Sequence, residues 1–294
     1  MTQSQIPASH VDVLVVGAGP VGGAFALALD GAGLQVMVVD ARSEAACLAY
    51  TGQADPRALA VSHRACSQLA AWGVTLPAVS APIHRVHVSQ PGGMGRVLLD
   101  RDDLALPELG QVLPYSALAQ AVHTRLRTVS DGQKGVAYLT NTFVTDVQTL
   151  DAYAAVHMNH QGCTHLVTAR LVVLADGGPL LAKLNFPLQI KDYEQHAIVA
   201  VIKTDTRHQQ TAFERFAEDG PIAFLPRGED EFSVVWTRPL DDSLDALHLS
   251  DAAFLQALQQ RMGDRAGRLL AVSGRTSFPL RLKWARRPMH DGWR

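Results

Sequence analysis

The sequence predicts an α/β fold in which a nucleotide-binding parallel sheet is interrupted by, and followed by, antiparallel β-rich pieces. Three observations lead there. A strand, a glycine-rich turn, a helix and a second strand fit within about 30 residues near the N-terminus, the size of a βαβ unit. A wholly apolar strand ending in Asp-Gly comes much later, at residues 171–175. Beyond Asp176-Gly177 the chain breaks into short strands bounded by Gly, Pro and charged turns.

The elements follow in order. Residues 11–16 are β-branched and apolar, 21–29 are helical up to Gly31 and Gly33, and 35–39 form the second strand. Residues 58–72 are the next helical candidate, with Leu59, His63, Cys66, Leu69 and Ala70 spaced for one face. Ile83, Val86 and Val88, then 97–99, are strands separated by Pro91-Gly92-Gly93, and 116–126 is helical. Residues 143–149, 153–159 and 166–169 form a meander, and 171–175 has the apolar texture of a strand covered on both faces. Strands at 198–204, 211–216, 222–226 and 231–236 precede a helix at 252–262. This divides the chain into a nucleotide-binding domain at 11–190, carrying a β-meander insertion around 136–170, a β-rich domain at 191–282, and a tail at 283–294.

Composition narrows the function classes. Of 294 residues, 47% are apolar and 18% charged, as in ordinary globular proteins. The net charge of −2 lacks the basic excess of a nucleic-acid binder. Cys47, Cys66 and Cys163 form no CxxC pair, which fits a reducing compartment. No apolar run approaches the roughly 20 residues of a membrane span, and residues 1–10 lack a signal-peptide pattern. A cytoplasmic location is expected. A peripheral contact with the inner membrane is compatible with it.

The glycine-rich turn is Gly17-Ala18-Gly19-Pro20-Val21-Gly22. In such a turn, Gly17 and Gly19 let the backbone bend tightly and approach a pyrophosphate. Gly22 allows close packing of helix on strand, and the helix N-terminus offers free N–H groups to the phosphates. Asp40, at the end of the second strand, stands where an acid holds a ribose hydroxyl pair. Arg42 lies within reach of the adenosine part, although a solvated surface arginine reads equally well. The motif by itself does not separate NAD from FAD.

Two later segments separate them. Asp55-Pro56-Arg57-Ala58-Leu59-Ala60 puts an arginine at the start of the next helix, and residues 171–177 put Asp176-Gly177 after a buried strand. With the first loop, this trio resembles the flavin-dependent aromatic hydroxylases of the para-hydroxybenzoate hydroxylase superfamily. The segment Arg57-Ala58-Leu59-Ala60-Val61-Ser62, then Tyr193-Glu194-Gln195, Ala212-Phe213-Glu214-Arg215-Phe216, 220–226 and 233–236 follow the order of the ubiquinone-biosynthesis hydroxylases. Residues 87–89 through 109–112 are most similar to the UbiH-type branch acting on 2-polyprenyl-6-methoxyphenol.

The resemblance implies FAD as cofactor and NAD(P)H as co-substrate. Arg57 and Gln111 would contact FAD, and Asp176-Gly177 would serve both nucleotides. NAD(P)H would reduce the flavin, O₂ would be activated at flavin C4a, and one oxygen atom would pass to the ring of a polyprenyl phenol. Phe224, Leu225 and Pro226 are candidate pocket walls or plain core strand. Such chemistry asks for no side-chain nucleophile, so no catalytic residue is assigned and no metal site is expected. His157, His160, Cys163 and His165 crowd one hairpin without a ligand spacing that commits to zinc.

Two departures stand out. Gly178-Pro179-Leu180 follows Asp176-Gly177 where the family has a small polar residue and an arginine. The family's later flavin motif, a Gly-Asp or Gly-Asn with Ala-Ala and His-Pro, is absent, and the closing Met289-His290-Asp291-Gly292-Trp293-Arg294 does not replace it. The chain is therefore expected to be C-terminally truncated and to bind FAD poorly by itself. Two further readings stay open. One is a sibling flavin hydroxylase with another aromatic substrate. The other is an inactive fragment that serves as a subunit of a ubiquinone-synthesising complex.

Overall fold

The computed structural model describes residues 6, 8–49, 57–92, 95–132, 135–184 and 186–287. Asp55-Pro56, Gly93 and the tail beyond residue 287 lie outside them.

The first sheet has six strands in the order β8-β2-β1-β11-β10-β9. Its centre is β1 (His10–Val16), flanked in parallel by β2 (Val36–Val39) and β11 (Cys163–Leu174), with β8 (Val136–Leu139) parallel beyond β2. The meander is present as β9 (Thr142–Thr149), β10 (Ala154–His160) and β11, all antiparallel neighbours. The expected break between residues 169 and 171 does not occur. A single strand β11 runs from the hairpin into the parallel core, where positions 168–174 pair with β1.

One face of this sheet is covered by α1 (Pro20–Ala28) and α4 (Tyr115–Asp131), whose Ala26, Leu27, Leu118, Val122 and Leu126 pack on Val13, Val15 and Val38. The other face carries the short α5 (Pro179–Lys183), whose Leu180 packs on Leu14, Met37 and Val156. That cover is incomplete. Leu171 is 44% exposed, so the expected burial of the 171–175 strand on both faces is corrected.

The expected helix at 58–72 is also corrected. Residues 58–62 form β3 (Ala58–Ser62), paired antiparallel to β7 (Gly110–Pro114), which also pairs with β4 (Ala81–Ile83). The helix α3 (His63–Ala71) starts afterwards, because the Ser62 hydroxyl accepts from the Ala65 amide and caps it. Arg57 therefore precedes a strand. Short α2 (Glu44–Leu48) lies after β2.

The second large sheet has seven strands in the order β16-β12-β15-β14-β13-β5-β6. They are β5 (Arg85–Ser89), β6 (Arg96–Asp100), β12 (Leu188–Thr204), β13 (Thr211–Ala217), β14 (Gly220–Arg227), β15 (Glu231–Pro239) and β16 (Leu269–Ala285). Two of these strands come from within the 11–190 span, so the sheets do not divide at residue 190. One face carries α6 (Leu240–His248) and α7 (Asp251–Met262), with Trp236, Phe224, Phe232, Phe254 and Met262 in one core. The opposite face meets the three-stranded sheet through Ile83, Val112 and Ala212, with Ala58 and Leu225 beside them.

Candidate cofactor and active site

The loop between β1 and α1 is built as its sequence demands. Gly17 has φ +96°, and a side chain there would strike the backbone of Ala175. A Cβ on Gly22 would lie 2.0 Å from the Gly17 carbonyl oxygen. A Cβ on Gly19 would meet nothing nearer than the Tyr115 hydroxyl, 3.7 Å away, so this glycine leaves an open approach. Pro20 opens α1, whose first N–H groups have no intrahelical acceptor. Gly23, which sequence reasoning passed over, admits α4: a Cβ there would lie 2.3 Å from Val122.

Adjacent strand ends meet at this loop. The Gly17 amide donates to the Val39 carbonyl, and the Ala175 amide to the Val16 carbonyl, both at 2.8 Å. Asp176 follows directly. Its Oδ1 accepts from the Gly178 amide at 2.9 Å and its Oδ2 from the Leu180 amide at 2.8 Å, which sets the turn into α5. Gly177 and Gly178 both have positive φ and open space at the Cβ position.

Asp40 is buried, and its carboxylate is fully engaged. Oδ2 accepts from the Ala18 amide and Arg42 Nη2, and Oδ1 accepts from the Arg42 amide and Nε, each at 2.9 Å. A carboxylate has about four acceptor positions, so a ribose hydroxyl would have to displace one of these donors. Burial pushes the Asp40 carboxyl up, but the Arg42 hydrogen bonds and the two amides outweigh it and hold it below the usual range. Arg42 also reaches His123 Nε2 at 3.1 Å, and His123 Nδ1 sits 2.7 Å from the Tyr138 hydroxyl. Burial, helped by the nearby Arg42 charge, holds His123 down at about 4. Asp40, Cys47 and His123 offer donor atoms within 4.8 Å of one another, but the Arg42 guanidinium already bridges Asp40 and His123.

The remaining candidates fall nearby or apart. Arg57 lies over the Tyr115 ring at 4.5 Å, and Tyr115 borders Gly19. Tyr115 opens α4 in a sequence position that carried no motif, so reading the chain alone missed it. Gln111 lies within β7, not in a surface turn, and its amide donates to both Glu108 oxygens at 3.0 and 3.1 Å. Phe224 is core: it is wholly buried, with its ring 5.4 Å from Phe232. Leu225 points the other way, toward Ile83 and Val112. Pro226 lines a cleft with Arg57, Ala58 and Val112. On the 157–165 hairpin, His160 is committed to the Thr142 hydroxyl at 2.6 Å and Cys163 is exposed.

Residues 10–292 match the family described as FAD binding domain. The chain belongs to that family. FAD is the cofactor, and the open cradle at Gly19 beside the α1 N-terminus fits its pyrophosphate. Among curated proteins, the chain is 33% identical over 281 residues to ubiquinone hydroxylase UbiL of Rhodospirillum rubrum, covering 94% of this chain and 63% of that protein. It is 27% identical over 276 residues to ubiquinone hydroxylase UbiM of Neisseria meningitidis, covering 92% of this chain and 59% of that protein. The chain thus spans roughly three-fifths of the length of these relatives. Among solved structures, p-nitrophenol 4-monooxygenase PnpA from Pseudomonas putida superposes with a TM-score of 0.67 at 17% identity, over 95% of this chain and 70% of that one. That likeness establishes the α/β fold with its mixed and antiparallel sheets. Among the described residues, no helix is long and apolar enough to cross a membrane.

Proposed function

We propose that this chain carries the FAD site and part of the substrate wall of a flavin-dependent monooxygenase that hydroxylates the aromatic ring of a polyprenyl phenol in ubiquinone biosynthesis. The observation that carries the cofactor half is the meeting of Gly17–Gly22, Asp40–Arg42 and Asp176-Gly177 at the carboxyl ends of β1, β2 and β11, where open α/β sheets bind nucleotides. The two ubiquinone hydroxylases among the relatives support the substrate class.

Hydride acceptance from NAD(P)H and activation of O₂ are the chemistry that bound FAD would supply. The residues of the chain do the rest. The amides after Gly19 and the positive end of α1 hold the pyrophosphate. Arg42 takes the adenosine side. Arg57, propped on Tyr115, and Gln111 take the side toward the seven-stranded sheet. Asp176 shapes the turn that lets Gly177 approach both nucleotides. The sheet face of Ala212 and Leu225 would supply the wall against which the aromatic ring is held.

Glu214 lies two residues along from Ala212, hence on the same face of β13. Burial pushes its carboxyl up, and no hydrogen bond or ion pair engages it among the described residues. We assign it to accept the phenol hydroxyl and so orient the ring.

The test uses the purified chain with FAD, NAD(P)H and a polyprenyl phenol under ¹⁸O₂. One labelled oxygen in the product supports the reading, and FAD reduction without labelled product overturns it. The quinone intermediate that accumulates in a knockout identifies which ring position is the target. Glu214→Gln is expected to lower kcat with FAD affinity unchanged.

A further inference from the structure

The Arg42 guanidinium is held on three of its five N–H groups. Nε and one hydrogen of Nη2 grip Asp40, and the other hydrogen of Nη2 points at His123 Nε2. Arginine only donates, so His123 Nε2 must accept and Nδ1 must carry the proton. Nδ1–H then donates to the Tyr138 hydroxyl at 2.7 Å. The result is one directed line, Tyr138–His123–Arg42–Asp40, drawn from β8, α4 and the end of β2. Its inner members are sealed: His123 is 0% and Tyr138 4% exposed. Its arginine is open to solvent. The Arg42 side chain is 43% exposed, and Nη1 has no partner among the described residues.

The far side of the line also bears on the cofactor loop. The Asp40 carboxylate that anchors Arg42 accepts from the Ala18 amide, in the middle of the phosphate loop. All of its acceptor positions are engaged, so it acts as a latch between loop and arginine. The nucleotide is left to meet the free edge of Arg42.

We propose that His123 is a positioning residue: with Tyr138 behind it, it presets Arg42 to receive the adenosine half of FAD, while Asp40 latches Arg42 to the phosphate loop. This rests on the reading of the site as an FAD site. It extends that reading to buried residues of α4 and β8 with no direct access to the cofactor.

Two measurements test it. The first needs no cofactor. In the protein as expressed, ¹⁵N shifts of His123 near neutral pH should report the neutral Nδ1–H tautomer, and Arg42→Lys should perturb them. An Nε2–H tautomer or an imidazolium overturns the proposal.

The second compares two ligands, ADP for the adenosine half and FMN for the flavin half. His123→Phe should weaken ADP and FAD about tenfold, the loss expected when a charge-assisted contact is misdirected. FMN binding should be unchanged. His123→Gln, whose side-chain oxygen can still accept from Arg42, should recover most of the loss. Equal weakening of FMN, or no change in ADP with the wild-type circular dichroism spectrum retained, overturns it. Absence of ADP and FAD binding in the wild type would refute the cofactor assignment itself, and the tautomer measurement would still decide the line of hydrogen bonds.

Discussion

At Asp40 and His123, burial and pairing set the protonation states on which the nucleotide edge of the site depends. His123 titrates near 6.5 when exposed and at about 4 when folded. Between those values the unfolded chain takes up a proton that the folded protein refuses. Stability is therefore expected to fall as pH drops from about 6.5 to about 4, by roughly 3 kcal/mol from this group. Burial also lowers His84, His87 and His160, so the informative quantity is the difference in slope between wild type and His123→Phe in denaturant melts. Asp40 acts lower: its contribution is present above 3.8 and is lost as pH falls through its depressed folded value.

The glycines of the loop separate folding from binding at the same scale. Gly22→Ala would force a methyl to 2.0 Å from a backbone carbonyl, which no rotamer relieves. A loss of about 1–3 kcal/mol, the range for overpacking, is expected in thermal unfolding. Gly19→Ala meets nothing closer than 3.7 Å, so its melting temperature should hold while its FAD affinity falls, because the methyl occupies the pyrophosphate approach. Titration of both variants with FAD distinguishes the two effects.

Among the elements, β3 and α3 show how a short segment is decided by its neighbours. Residues 58–72 carry a helical apolar spacing throughout, but the ladder to β7 claims Ala58–Ser62 as a strand. The Ser62 cap then starts the helix. Ser62→Ala is expected to cost about 1 kcal/mol and to lower the melting temperature by a few degrees. If α3 kept its stability without the hydroxyl, the boundary would have another cause. Strand β11 shows the same influence at larger span: its hairpin half and its parallel half have different textures, yet they share one continuous ladder with β10 and β1.

For the whole molecule, the two large sheets have separate cores, joined through the small cluster of Ile83, Val112 and Ala212. Phe254 belongs to the core under the seven-stranded sheet and is wholly buried. Phe254→Ala should cost about 3–5 kcal/mol by the usual toll of an aromatic deletion. ADP binding at the six-stranded sheet should persist at temperatures where the variant remains folded. Loss of ADP binding in step with the melting of the seven-stranded sheet would mean that the sheets form a single cooperative unit.

The first βαβ unit, the phosphate loop, the place of Asp40 and the Asp-Gly turn were all legible in the sequence, because each depends on residues within one or two turns of chain. Gly17 and Gly22 could be read from spacing, since only glycine permits those close approaches. The sequence also displayed the order of motifs that marks an FAD-binding chain. It takes the packed chain to show that residues 85–89 and 96–100 join the seven-stranded sheet, that 58–62 pair as a strand, and that Phe224 faces the core while Leu225 faces the three-stranded sheet. Each of those outcomes depends on a partner strand distant in sequence, which local periodicity does not encode. The same holds for the Asp40 carboxylate. Its position was legible, but its saturation by Arg42 and Ala18, and the support of Arg42 by His123 and Tyr138, arise where β2, α4 and β8 come together.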